Sequence, residues 1–302
     1  MSTKRVDASA GWHWIGRAAR LAAGHPKVVL GGAALLPLGA SASMLLAGAG
    51  PELLVPGPVA DAAASFAACL LLVAPALLVT ACLTVGYLRL VHAVANGRRA
   101  SPAGVFAGFG DMRAPLRVIA FTLLVAAIMA AVPVGLLALS VPLALVAQVM
   151  PFPPDADGGT RMLLLVAGFG TVLLLAWLAG SIVGFAVLSI GIGQIALAGR
   201  GVSAAIGDGL AGALRNLPAL PVLLVVGLAA AIATGLALLL AAVPLSEPAG
   251  GWSTVVPGMV LYCAFMATAC AITCGVMYQL WRDACGEPDT TVPVTAGIGA
   301  GS

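Results

Sequence analysis

The amino-acid sequence predicts an all-α, polytopic membrane helix bundle. Only 8% of its 302 residues are charged while 61% are hydrophobic. Six apolar runs are each long enough to span a bilayer. Its cations also gather in alternate connections. A soluble domain carries about 25% charged residues, too many to be spared from a water-facing surface. A mean hydropathy of +1.11 therefore implies lipid as the surrounding solvent. The runs are continuously apolar and do not alternate with period two, which excludes spanning strands. A net charge of +3 is too small to imply a nucleic-acid partner. The six cysteines lie in or beside apolar runs, so no secreted disulfide framework is expected.

The first 26 residues hold Lys4, Arg5, Arg17 and Arg20 with no apolar core between them, so no cleaved leader is expected and the run 28–49 reads as an uncleaved anchor. Before it, His13, Arg17, Arg20 and Gly24 recur at helical spacing opposite Trp14, Ile15, Ala18, Leu21 and Ala22. That pattern predicts an amphipathic helix lying in the interface. The other runs are 62–94, 116–149, 161–197, 218–244 and 253–281. The third would be about 51 Å long as a straight helix, against a hydrocarbon core of about 30 Å, and Pro133 and Pro142 predict a kink or an interfacial extension.

With the N-terminus placed inside, Lys4, Arg5, Arg17, Arg20, Lys27, Arg89, Arg98, Arg99, Arg113, Arg117, Arg200, Arg215 and Arg282 fall on the inner side and Arg161 alone on the outer. The positive-inside rule then puts both termini in the cytoplasm. The outer connections carry Glu52, Asp61, Asp155, Asp157 and Glu247 among prolines and glycines. Trp12, Trp14, Trp252 and Trp281 read as interfacial anchors, and Trp177 as core. Residues 287–302 are expected to form a disordered cytoplasmic tail.

The two long inner connections resemble each other at an offset of 102. Gly97-Arg98-Arg99-Ala100-Ser101 aligns with Gly199-Arg200-Gly201-Val202-Ser203, His92 with Gln194, and Arg113 with Arg215. Each is followed by about a dozen residues and a proline, Pro115 or Pro218, that opens the next apolar run. In the first of these stretches Val105, Phe106 and Phe109 oppose Asp111 and Arg113; in the second Ile206, Leu210, Ala213 and Leu214 oppose Asp208 and Arg215. One bundle over 1–286 is predicted, with parallel repeat units 12–95, 101–198 and 202–286. Each unit holds one interfacial helix and two membrane helices.

The opening Gly11-Trp12-His13-Trp14-Ile15, with Arg20-Leu21 and His25-Pro26, resembles that of a family of uncharacterised multipass proteobacterial inner-membrane proteins. The close of the last run, Tyr278-Gln279-Leu280-Trp281-Arg282-Asp283-Ala284-Cys285-Gly286, is similar to that family's ending. The resemblance implies the bacterial inner membrane and no particular activity. The plan of interfacial helices and helix pairs is also similar to membrane domains that accompany glycerophosphodiester phosphodiesterases.

Two residue sets carry candidate chemistry. Arg98, Arg99, Arg113, Arg117, Arg200 and Arg215 cluster on the inner face, where basic residues attract anionic lipid headgroups as well as setting topology. Met259, Cys263, Met266, Cys270, Cys274 and Met277 share one face of the last helix, a pattern that suits a soft metal ion or plain apolar packing. Thr80, Thr84, Ser140, Ser181, Ser189, Thr268 and Thr273 either line a solute path or join helices. Gly180 and Gly184 form a small-xxx-small pair for close packing. Gly207, Gly209 and Gly212 match a dinucleotide fingerprint but follow a membrane helix, not a strand, which rejects a nucleotide site. The histidines are scattered and no carboxylate pair shares a cleft, so neither catalysis nor a cofactor is expected. The sequence thus points to a non-enzymatic, lipid-interacting or scaffolding membrane protein, with a second copy or another membrane protein as partner. The alternative is a transporter or channel for a small solute.

Overall fold

The computed structural model describes residues 4–39, 62–149, 158–225, 227, 228, 232 and 252–286. Eight α-helices are seen among them. These are α1 (Ala10–Gly24), α2 (Pro26–Gly39), α3 (Ala62–Ala95), α4 (Arg113–Val149), α5 (Gly158–Ala196), α6 (Val202–Arg215), α7 (220–225) and α8 (Trp252–Cys285). Two 3-10 turns, Pro102–Gly110 and Leu217–Ala219, precede α4 and α7. No strand occurs among the described residues. Among the described residues four stretches are long and apolar enough to cross a membrane: Val73–Ala95, Arg113–Val132, Ala167–Ala196 and Tyr262–Cys285. The pair α1 and α2 makes a fifth if counted as one bent span. The outer connections and the tail after residue 286 lie outside the described residues, as does most of the run 218–244.

Local chemistry sets the breaks. His25 precedes Pro26, whose ring disfavours helical backbone at the residue before it, and His25 accordingly sits at φ −134° and ψ 55°. Pro26 is itself well placed at the first helical position. The result is a bend of 109° between α1 and α2, close to a right angle. A helix crossing the bilayer and its neighbour lying along the interface need that geometry. The C-terminal turns of α3 and α5 end on Gly97 and Gly199, at φ +67° and +66°. Only glycine enters this region without a Cβ penalty. Their spacing is the offset of 102 read in the sequence.

Helices α3, α5 and α8 are parallel and end side by side. Gly193 of α5 sits against the Trp281 ring of α8. His92 of α3 meets Tyr278 and Trp281 edge-on at 5.8 and 6.2 Å. Arg89 of α3 donates from Nε to the Ala196 carbonyl of α5 at 3.2 Å. The start of α4 joins this end, since Arg117 donates to the Gly199 carbonyl at 3.1 Å. The N-terminal segment does too, since Lys4 N–H donates to the Ala284 carbonyl at 2.9 Å. Both described ends of the chain therefore lie on one face, here called the inner face.

Each of three short elements packs on one of these three helices: α1 on α8, the turn Pro102–Gly110 on α3, and α6 on α5. Apolar side chains gain little by leaving lipid for protein, so such contacts depend on close van der Waals approach. Small residues supply it. A Cβ on Gly275 would lie 2.8 Å from the Ala18 methyl, and one on Gly209 would lie 3.0 Å from the Val187 carbonyl. Gly212 fits over Ile190 in the same way. Two of the glycines that mimic a dinucleotide fingerprint, Gly209 and Gly212, thus seat α6 on α5, while Gly207 has open space before it.

Several expectations need correction. The second interfacial element is a 3-10 turn, not an α-helix. Pro102 opens it and Gly108 brings it against the α3 backbone at Cys82. Arg113 belongs to α4. Trp14 and Trp281 are buried inside the chain instead of anchoring at the interface, and Trp177 is exposed instead of core. Of the small-xxx-small pair, Gly184 packs against Met129 of α4, while Gly180 has open space before it.

Candidate functional site: the inner face

Three polar assemblies tie the inner face together. The first joins α1 to α8. Trp14 Nε1 donates to Asp283 Oδ2 at 2.8 Å, and the Arg17 guanidinium pairs with the same carboxylate oxygen. Gln279, one turn before Asp283, has its side-chain oxygen buried without a partner, as is the Arg17 Nε.

The second joins α3 to its neighbours. Arg89 caps the α5 carbonyl end and also pairs with Asp111 at 3.1 Å. Cations at a helix C-terminus complement its partial negative charge. Arg89 and Arg117 are thus C-terminal caps for α5. The Arg89 guanidinium beside Asp111 holds that carboxyl below its ordinary range. A folded-state pKa below the unfolded one stabilises the fold above the unfolded value of about 3.9, and that stability is lost as pH falls through the folded value. The Asp111→Asn variant should therefore melt below the native protein at pH 7 and converge with it near pH 3, read by thermal unfolding in detergent.

The third is built on Asn216, wholly buried at the end of α6. Its Oδ1 accepts from the Val6 N–H at 2.7 Å, and its Nδ2 donates to the carbonyls of Gly212 at 2.9 Å and Lys4 at 3.3 Å. Residues 4–9 are thereby strapped from the end of α8 to the end of α6.

The arginines singled out in the sequence all fall at this face, in different settings. Arg98, Arg99, Arg113, Arg117 and Arg215 are exposed, and Arg200 is half-buried. Beside them the short elements expose large apolar side chains: Trp12 on α1, Phe106 on the 3-10 turn, Leu210 and Leu214 on α6, Met112 and Leu116 at the start of α4. Phe106 and Phe109 rings lie 6.2 Å apart.

The sulfur face of α8 passes through more than one environment. Cys263 is exposed and lines an apolar groove of about 360 Å³ with Ala34, Val260, Ala264 and Ala267. Met266 is half-buried. Cys270, Cys274 and Met277 are half-buried and packed on the core. The surroundings of Met259 lie outside the described residues. No group of three or more His, Cys, Asp or Glu side chains among the described residues has the geometry for a metal ion. The hydroxyls of Thr80, Thr84, Ser189 and Thr268 each donate to the carbonyl four residues earlier in their own helix. Ser140 lies outside the described side chains.

The bonds of Trp14 to Asp283 and of Asn216 to Val6 were not legible in the sequence, because each joins residues remote in the chain. Comparison with family models, curated proteins and solved structures finds no match to this chain.

Proposed function

We propose that the chain is a six-span bacterial inner-membrane protein with cytoplasmic termini, built of three like units, that binds anionic phospholipid at its inner face as a non-enzymatic organiser or scaffold. On this reading the end motifs, Gly11 to Ile15 and Tyr278 to Gly286, place it with the multipass inner-membrane family they resemble. Support for the three units comes from the ring of packing. Each short element packs on the long helix that closes the preceding unit, and α1 on α8 completes the ring. The matched glycine caps Gly97 and Gly199 support the same plan.

The observation that carries the lipid reading is the pairing of exposed cations with exposed apolar side chains on the short elements. A surface of that kind suits the headgroup and upper acyl region of a bilayer. Water alone would favour neither Trp12, Phe106 nor Leu214 on the outside.

The test is native mass spectrometry of protein released from mild detergent micelles. The native chain is expected to retain anionic phospholipid in preference to zwitterionic lipid. A variant with Arg98, Arg99, Arg200 and Arg215 all changed to Gln should lose that preference. At about 1 kcal/mol per basic residue, four residues weaken binding by about a thousandfold. The matching Arg→Lys variant should retain it. A reporter on the C-terminus checks that topology has not inverted. Undiminished anionic lipid on the Gln variant would sink the proposal.

A further inference from the structure

Three rings meet at the inner end of the contact between α3 and α8. His92, in the last turn of α3, packs edge-on against Tyr278 at 5.8 Å and Trp281 at 6.2 Å, and those two rings lie 6.0 Å apart. Tyr278 and Trp281 are buried, while His92 is half-buried. The Tyr278 hydroxyl stands 3.4 Å from His92 Nδ1. Asn96 Nδ2 stands 3.4 Å from Nδ1 and 3.2 Å from Nε2, and it donates to the His92 carbonyl at 2.9 Å. That bond to a carbonyl fixes which end of the amide is the nitrogen, and an amide nitrogen can only donate. A neutral imidazole keeps one bare nitrogen to receive a donor, and an imidazolium keeps none. The polar contacts of the ring therefore suit its neutral form.

The charges nearby act in the same direction. After α3 the chain turns back, with the Arg98 N–H donating to the Ala93 carbonyl at 2.9 Å, and this returns Arg98 to the end of the helix. On α8, Arg282 follows Trp281 directly. Arg98 and Arg282 are both within electrostatic reach of the His92 ring. Asp283, beside Arg282, is engaged by Arg17 of α1, and Asp111 is engaged by Arg89, one turn before His92. Helix α5 presents Gly193 to Trp281. A helix C-terminus attracts cations through its unpaired carbonyls. That attraction is blunted here, because the carbonyls of His92, Ala93 and Val94 accept from the N–H groups of Asn96, Arg98 and Gly97.

Histidine gains its charge near pH 6.5, inside the physiological range. At the offset of 102 read in the sequence, Gln194 of α5 stands in the place of His92. Glutamine offers a donor and an acceptor but does not titrate, so of these two matched positions only the one on α3 can respond to acid.

We infer that His92 is an acid-sensitive joint between α3 and α8. Neutral, it closes the inner ends of the two helices. Protonated, it adds a positive charge to those of Arg98 and Arg282, meets the Asn96 amide donor to donor, and loosens the contact. The joint does not depend on what the inner face binds.

Two measurements on the full chain test it. In the first, thermal midpoints in one detergent are compared at pH 8 and pH 5.5 for the native protein and for His92→Gln, the residue that the matched position already carries. His13 and His25 stay in both proteins, so their titration cancels. The native midpoint should fall by about 3 °C more than that of the variant. Equal falls overturn the joint. A smaller fall in the native protein also overturns it, since the rings would then be holding the imidazolium as a cation–π partner. If His92→Gln does not fold, Arg98→Gln takes its place. Removing one neighbouring charge should shrink the fall, and an undiminished fall overturns the joint.

In the second, hydrogen exchange is followed in nanodiscs at the same two pH values, with rates corrected for the intrinsic effect of pH. Amides of residues 278–285 should open about tenfold more readily at pH 5.5 in the native protein, while those of α6 hold steady. Unchanged protection at the end of α8, or equal loss in α6, overturns the joint as a local device.

Discussion

A methyl group placed on Gly86 or on Gly108 is expected to destabilise the bundle by about 3 kcal/mol in each case. The two glycines face each other across the contact between α3 and the 3-10 turn. A Cβ on Gly86 would run into the Val105 carbonyl, and one on Gly108 into the Cys82 carbonyl. The obstacle in both cases is backbone, which cannot rotate away as a side-chain tip can. Relief comes only if the turn lifts off α3. That movement would also disturb Val105, which is wholly buried against Gly32 of α2. Because one displacement relieves both clashes, the double alanine variant should lose less than the sum of the singles, by about 1–2 kcal/mol. Gly110→Ala is the control, since nothing lies near its added methyl. It should fall within about 0.5 kcal/mol of the native protein. Thermal unfolding in one detergent measures all four. Additive losses would mean that the two contacts yield independently and that the turn is not a rigid unit.

Hydropathy marked the membrane helices well, because a span needs only length and the absence of charge. The helices α3, α4, α5 and α8 fall within a few residues of the runs read in the sequence. The same property hid which side of each helix faces protein. Lipid is as apolar as a core, so Trp177 looked like core and is exposed, while Trp14 looked like an interfacial anchor and is wholly buried. The glycine caps Gly97 and Gly199 were legible as a repeated pattern, since a backbone at positive φ leaves a fixed residue type in the chain. Arg117 was legible as a cation of the inner face, but its use as a cap on the Gly199 carbonyl was not. That role depends on α4 starting beside the end of α5. The sulfur residues read in the sequence all lie in α8. Periodicity could not tell that this face meets an apolar groove at Cys263 and packs on the core at Cys270 and Cys274.

The attachment of α1 should depend more on the Trp14 indole than on the Arg17 charge. Asp283 serves both, accepting from the indole N–H at 2.8 Å and pairing with the guanidinium. The Arg17 side chain is 37% exposed, so its charge reaches water and the ion pair contributes at most about 1 kcal/mol. The indole is wholly buried, and stripping its acceptor exacts the cost of an unpaired buried donor, about 1–3 kcal/mol. Asp283→Ala removes both and should cost about 2–3 kcal/mol. Asp283→Asn keeps a carbonyl oxygen for the indole and should cost about 1 kcal/mol. Trp14→Phe removes the N–H donor together with part of the buried ring and leaves Asp283 to Arg17. Its loss should therefore exceed that of Asp283→Asn. Hydrogen exchange gives the structural counterpart. In Asp283→Ala the α1 amides should exchange faster, while α5 and α6 amides, which do not rest on this contact, stay protected. If Asp283→Asn proves as damaging as Asp283→Ala, the charge outweighs the indole. Helix α1 would then be held to α8 by electrostatics, and its attachment should weaken with added salt, which an indole hydrogen bond would not.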